Sequence, residues 1–146
     1  MSLSNASETN LLLLLFNNTA WAGIGNAGGL QPSSVAGSFH VALHSADPGE
    51  AGNQGTSEVS YTGYARVAVA RSAGGFTVAG DQVSNTATVQ FGECTAGSAT
   101  ATWFSVGLDP SGAGPILYRG VLDASRAISA GITPLFNPGA LAGTAN

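Results

Sequence analysis

The stretch TATWFSVGLDPSGAGPILYRGVL, residues 100–122, decides the fold class. Thr102, Phe104, Val106 and Leu108 recur every second residue, with Trp103 on the opposite side, and that period predicts a strand over Thr100–Leu108. Asp109-Pro110-Ser111-Gly112 follows as a strong turn signal. Ile116–Leu122 then reads as the hairpin partner. A helix has no use for this pattern, because its apolar face repeats every 3.6 residues.

Working outward, the same alternation returns. Phe39, Val41 and Leu43 alternate with His40, Ala42 and His44. Tyr64–Arg71 reads as a strand with Val67 and Val69 facing one way, and Gly74-Gly75 breaks it. Phe76–Val78 begins a short strand. Thr86–Phe91 sets Thr88 and Gln90 against Ala87, Val89 and Phe91. Residues 49–60, after the Asp47-Pro48-Gly49 turn, are polar and Gly-rich and suit a surface loop. Toward the end, residues 129–141 hold two prolines and two glycines and predict short edge pieces with an extended tail, since proline cannot donate to a central ladder. Short strands separated by Gly-rich turns predict a mainly β chain, a β-sandwich or jelly roll. No repeat of 20–50 residues points to a solenoid.

The first 37 residues differ. Residues 4–20 predict a helix, with Asn5 and Glu8 at the N-cap and N3 spacing of a capping box. Leu11–Phe16 is apolar on every side, which predicts burial all round, in a core or between subunits. A Gly/Ser/Asn/Pro-rich connector covers residues 22–37. The organisation expected is therefore a helix and connector over 1–37 and a β domain with an extended tail over 38–146.

Charge is scarce. The chain has four arginines, no lysine and eight acids, a net charge of −4 and mean hydropathy +0.21. Charged residues make up 8% against roughly 25% in an ordinary soluble domain. Surface charge discourages sticking, so a chain without it is expected to be covered by copies of itself or by partners. Four arginines do not make a nucleic-acid surface. The Leu11–Phe16 run is far short of the roughly 20 residues of a membrane span, and with Glu8 before it and no positive residue it makes a poor signal peptide. A single cysteine, Cys94, excludes an intrachain disulfide framework.

Candidate chemistry is thin. His40 and His44 lie four residues apart on a strand, roughly 13 Å at the usual rise, too far to share one metal ion. His44 and Asp47 lack a nucleophile beside them, and no serine sits in a nucleophile elbow. Asp47, Glu50 and Glu58 cluster in one loop but without EF-hand spacing, so they are expected to cap turns or to meet a neighbour. Glu93 next to Cys94 would raise the thiol's pKa, leaving it passive. No metal, cofactor or catalytic residue is assigned. In Tyr61-Thr62-Gly63-Tyr64-Ala65-Arg66, tyrosine and arginine are residue types enriched at interfaces. The other reading has the tyrosines pad the sandwich edge and Arg66 pair with a local acid. A sugar platform on Tyr61, Tyr64 or Trp103 is a further reading of lower rank.

The run from Ala42 to Gly52, continuing through Tyr61–Val67, resembles a family of small tailed-bacteriophage structural proteins often labelled tail fiber protein. Gly114–Gly120, Ser129–Pro134 and the Asn10–Ala20 segment match its style, so the resemblance covers most of the chain. The Ala/Gly-rich version is also similar to phage capsid-cementing, or decoration, proteins, that of a Bordetella bacteriophage among them. That resemblance implies a jelly roll on the outer face of an icosahedral capsid, made in the host cytoplasm, with no enzyme activity and no cofactor. The partners implied are a second copy, as a homodimer or other oligomer, and the major capsid protein; no nucleic acid and no membrane is expected. The expected interface residues are Leu11, Leu13, Leu14, Phe16, Asp47, Glu50, Glu58, Tyr61, Tyr64 and Arg66. The tail-fibre placement, with a part in host attachment, is the alternative.

Overall fold

The computed structural model describes residues 1–25 and 28–145. Residues 26 and 27 of the expected connector and the last residue of the expected tail lie outside the described residues. One helix, α1 (Asn5–Asn17), precedes nine strands: β1 (Ser38–His44), β2 (Val67–Ala70), β3 (Phe76–Ala79), β4 (Gln82–Asn85), β5 (Val89–Gln90), β6 (Ser98–Gly107), β7 (Ile116–Ser129), β8 (Leu135–Phe136) and β9 (Ala142–Thr144). They form a four-stranded sheet in the order β2-β1-β6-β7, a three-stranded sheet β3-β4-β9 and the pair β5-β8. The chain is mainly β, with antiparallel sheets and a short amino-terminal helix, as the alternation implied.

The chain divides into two compact units. The first comprises Met1–Ser38, Ala70–Val89 and Phe136–Asn146. Its helix starts one residue earlier in its capping than the sequence suggested: Ser4, not Asn5, is the N-cap, and its hydroxyl and carbonyl both accept from the Ser7 N–H. The helix ends at Asn17, three residues short of the expected end. Asn18 takes a left-handed conformation (φ 52°) and its N–H reaches back to Leu13 O, which closes the last turn. Only Leu12 and Phe16, one turn apart, are fully buried among the apolar run; Leu11, Leu13, Leu14 and Leu15 are half-buried. A run that looks uniform in sequence is thus sorted by helix geometry into one core stripe. Phe16 meets Phe76 edge-on at 4.9 Å.

Arg71 closes the helix from outside it. Its guanidinium donates to Leu15 O at 2.6 Å and Leu14 O at 3.0 Å, and also to Ala36 O at 2.9 Å. The helix has no basic residue in its own last turn, so this distant cation satisfies the exposed carbonyls and the dipole there. Buried Asn85 ties the carboxy-terminal segment to β4: it donates to Asn137 O and accepts from Leu141 N.

The second unit comprises Phe39–Val69 and Gln90–Leu135. β1 and β6 pair antiparallel from His40 opposite Gly107 to His44 opposite Trp103. Val41, Ala42, Leu43 and His44 are all buried, so the expected alternation of residue type is not an alternation of burial. Successive residues of a strand point to opposite faces, so this half of β1 is covered on both faces. The expected strand Tyr64–Arg71 shrinks to Val67–Ala70, and Thr86–Phe91 to Val89–Gln90. Gly63 explains the first: its φ is +102° and a Cβ there would stand 2.1 Å from Glu93 O, so the chain turns before β2. β4 falls in a segment where no strand is expected, and β7 continues seven residues past the expected Leu122.

Candidate functional site

The second unit is held by a polar node that the surface-loop reading of residues 49–60 did not foresee. Gln54 is fully buried and Val59 nearly so. The segment folds back along β1, where Val59 N donates to Leu43 O and Ser45 N to Ser57 O. Gln54 donates from its side chain to His40 O at 2.8 Å, and its backbone N–H donates to Gly114 O at 2.8 Å. A loop rich in glycine and amides thereby spends its polar groups on its own sheet rather than on water.

Arg66 lies at the centre. Its Nε donates to Glu58 Oε1 at 2.8 Å and its Nη2 to Glu58 Oε2 at 2.7 Å, a two-pronged pair. Further bonds go to Asp109 O at 2.9 Å and Gly112 O at 2.5 Å, the turn that ends the 100–122 hairpin. Tyr64 donates to Glu58 Oε1 at 2.9 Å and accepts from Leu43 N at 3.1 Å. Its ring stacks on Phe91 at 6.0 Å and meets Tyr61 edge-on at 5.4 Å. The Arg66 side chain is only 2% exposed. Its hydrogen bonds to Glu58 raise its pKa further, while burial pushes the Tyr64 hydroxyl well above its ordinary value. Both therefore keep their protons. Among the described residues no buried side-chain nitrogen or oxygen lacks a partner, so the node is satisfied throughout, the condition under which buried polar groups rigidify a fold.

His44 and Ser105 make a second contact. His44 Nε2 lies 2.8 Å from Ser105 Oγ and Nδ1 lies 2.8 Å from Thr56 O. The carbonyl accepts from Nδ1–H, so Nε2 accepts from the hydroxyl. A hydroxyl on an imidazole nitrogen is the contact an activated nucleophile requires. Here both residues have zero exposure, and the pair spans β1 and β6 as a brace. Burial lowers the His44 pKa, opposed by the hydrogen bond to Thr56.

At the surface, Arg119 bonds Asp47 at 2.6 Å, lies 3.8 Å from Glu50 and sits 5.5 Å above the Trp103 ring. The structure therefore distributes the sequence's interface residues among three places. Glu58, Tyr61, Tyr64 and Arg66 come together inside the second unit, where Arg66 does pair with a local acid. Asp47 and Glu50 come together on the surface with Arg119. Leu11, Leu13, Leu14 and Phe16 belong to the helix of the first unit, with Phe16 in its core. Cys94 is buried, its thiol directed to Ala96 O and Gly97 O. Sequence reasoning missed Gln54, Ser105, Arg71 and Arg119, because nothing local distinguishes a buried glutamine or a capping arginine from exposed ones. Among the described residues no three His, Cys, Asp or Glu side chains gather as metal ligands.

A family model described as podophage GP4 fiber I protein gp80 matches residues 2–144. No curated protein matches the chain.

Proposed function

The chain belongs to the podophage GP4 fiber I protein gp80 family, a phage structural protein family, and from that premise we propose that it is a fibre-type part of the virion, without enzymatic activity, that works by contact. The observation that carries this is the family match itself, which runs over nearly the whole chain rather than over one motif. The internal chemistry supports it. The histidine, serine, glutamate and arginine that could perform acid–base work are spent on holding loops to strands. A part that transmits load between neighbours gains from such bracing, because a rigid body loses little conformational freedom when it binds.

Capsid cementing is the second reading. It is favoured by the scarcity of charge, since each buried unpaired ion at a broad shell contact would cost free energy. In that reading the loop holding Asp47 and Glu50 faces the shell.

A phage lacking this gene product separates the two. Under the fibre reading its particles keep wild-type resistance to heat and low salt and lose adsorption to the host. Particles that adsorb normally but burst on mild heating would replace the fibre reading with the cementing one. Particles unchanged in both respects would remove both.

A further inference from the structure

We propose that residues 54–59 form an acid-released strap, closed along β1 while the buried His44 ring is neutral and lifted when both ring nitrogens carry a proton. Such a device would serve a tail part and a head part alike. Its grounds lie in the way one ring joins the strap to the sheet.

The strap is fastened along its length. Gln54 lies over the bare backbone of Gly107, where a Cβ would collide with it, and donates to His40 O. Thr56 O accepts from the His44 ring, Ser57 O accepts from Ser45 N, and Val59 N donates to Leu43 O. Glu58 is held by Arg66 and Tyr64. One residue is wound against this hold. Ser57 stands at φ 54°, a left-handed backbone that few residues with a side chain adopt. Such a conformation persists only while the surroundings over-determine it, so losing a fastening beside Ser57 favours release.

His44 is the fastening that a proton can undo. Its Nδ1–H donates to Thr56 O and its Nε2 accepts from Ser105 Oγ, with both side chains wholly out of water. A doubly protonated ring turns a second N–H toward Ser105 Oγ, where the hydroxyl was the donor. The hydroxyl must then rotate to accept, and among the described residues its oxygen has no other hydrogen-bond partner. A buried hydroxyl hydrogen without an acceptor costs free energy, and so does an unsolvated ring charge. Glu58 of the strap and Asp47 in the loop after β1 favour the charged ring, while Arg66 before β2 opposes it. On β7, Arg119 stands opposite Ser105 in register and is bonded to Asp47. The other histidine of β1, His40, is four residues away. Burial outweighs these attractions, so the closed strap resists the proton. A ring uncovered by lifting the strap is free of that burial, and acid therefore favours the lifted state. Lifting bares Leu43 O and Ser45 N on the edge of β1, together with the Arg66 guanidinium.

Amide hydrogen exchange on the full chain between about pH 7.5 and about pH 5, with protection expressed against the unstructured chain at each pH, reads the strap directly. The amides of Ser45, Gln54 and Val59 tie it to the rest of the second unit. Their protection is expected to fall by up to about tenfold for each pH unit between 6.5 and the lowered folded value, while α1 and the β6–β7 hairpin keep theirs. His44→Gln can make both contacts through its amide and does not titrate, so its strap is expected to stay protected in acid. Melting at about pH 7.5 checks that this variant folds. Nitrogen NMR of the wild-type ring gives a reading that needs no variant: the neutral ring is expected as the Nδ1–H form, and its titration is expected to run in step with the loss of strap protection. Strap protection unchanged in acid, a loss shared equally by α1 and the hairpin, an equal loss in folded His44→Gln, or a neutral ring protonated at Nε2 would each overturn the proposal.

Discussion

Arg66 and Glu58 show how a single pair can matter more for being broken than for being made. The Arg66 side chain is almost wholly out of water while that of Glu58 keeps 20% of its exposure, so removing the arginine leaves a half-buried carboxylate and two turn carbonyls without their donor. Arg66→Ala is therefore expected to cost about 2–3 kcal/mol and to lower the melting temperature by roughly 10 °C. Arg66→Lys is expected to fall as well, since an ammonium cannot meet both oxygens of Glu58. Wild-type melting temperature in either variant would contradict the node's role. His44 makes a pH prediction. Its folded pKa is lowered below 6.5 by burial, so below that value the unfolded chain takes up a proton that the folded chain resists. Stability then rises with pH through this window and is lost as pH falls from 6.5 toward the lowered folded value. Melting from about pH 8 to about pH 5 should show this loss in the wild type, and His44→Gln should lack that component. Parallel curves for the two proteins would assign the acid sensitivity elsewhere.

At the scale of elements, α1 depends on a residue far from it in sequence. Arg71→Ala removes a cation and its bonds to Leu14 O and Leu15 O, an expected loss of about 2 kcal/mol. Hydrogen exchange locates it: α1 amides are expected to exchange faster, while those of β1 and β6 keep their protection relative to global stability. Equal acceleration everywhere would mean that Arg71 does not act on the helix end. The same element shows what the sequence could and could not disclose. The helix and the 100–122 hairpin were legible, because period and turn residues act locally. The N-cap was misread by one residue, since Ser4 and Asn5 are both good caps and only geometry selects one. The 49–60 segment is a loop with most of its residues at the surface, as its composition implies, but Gln54 and Val59 are buried through partners on β1 and at the 109–114 turn, contacts that no local pattern encodes. Of the two readings of Arg66 that its sequence leaves open, the pairing with a local acid is present, with Glu58.

For the whole molecule, three of the four arginines are committed inside their own units. Arg66 and Glu58 hold the interior of the second unit, Arg71 holds the helix of the first, and Arg119 anchors Asp47 over Trp103. What is left for neighbours is an exterior with few charges. Such a surface suits contacts that must exclude water over some area, where unpaired ions would be a penalty. The central claim is that this chain is a fibre-type virion component, and counting it on purified particles tests that most directly. Cryo-electron microscopy with quantitative mass spectrometry gives both number and position. The account predicts a few to a few dozen copies per particle, all at the tail; hundreds of copies spread over the head, or none in the mature virion, would contradict it.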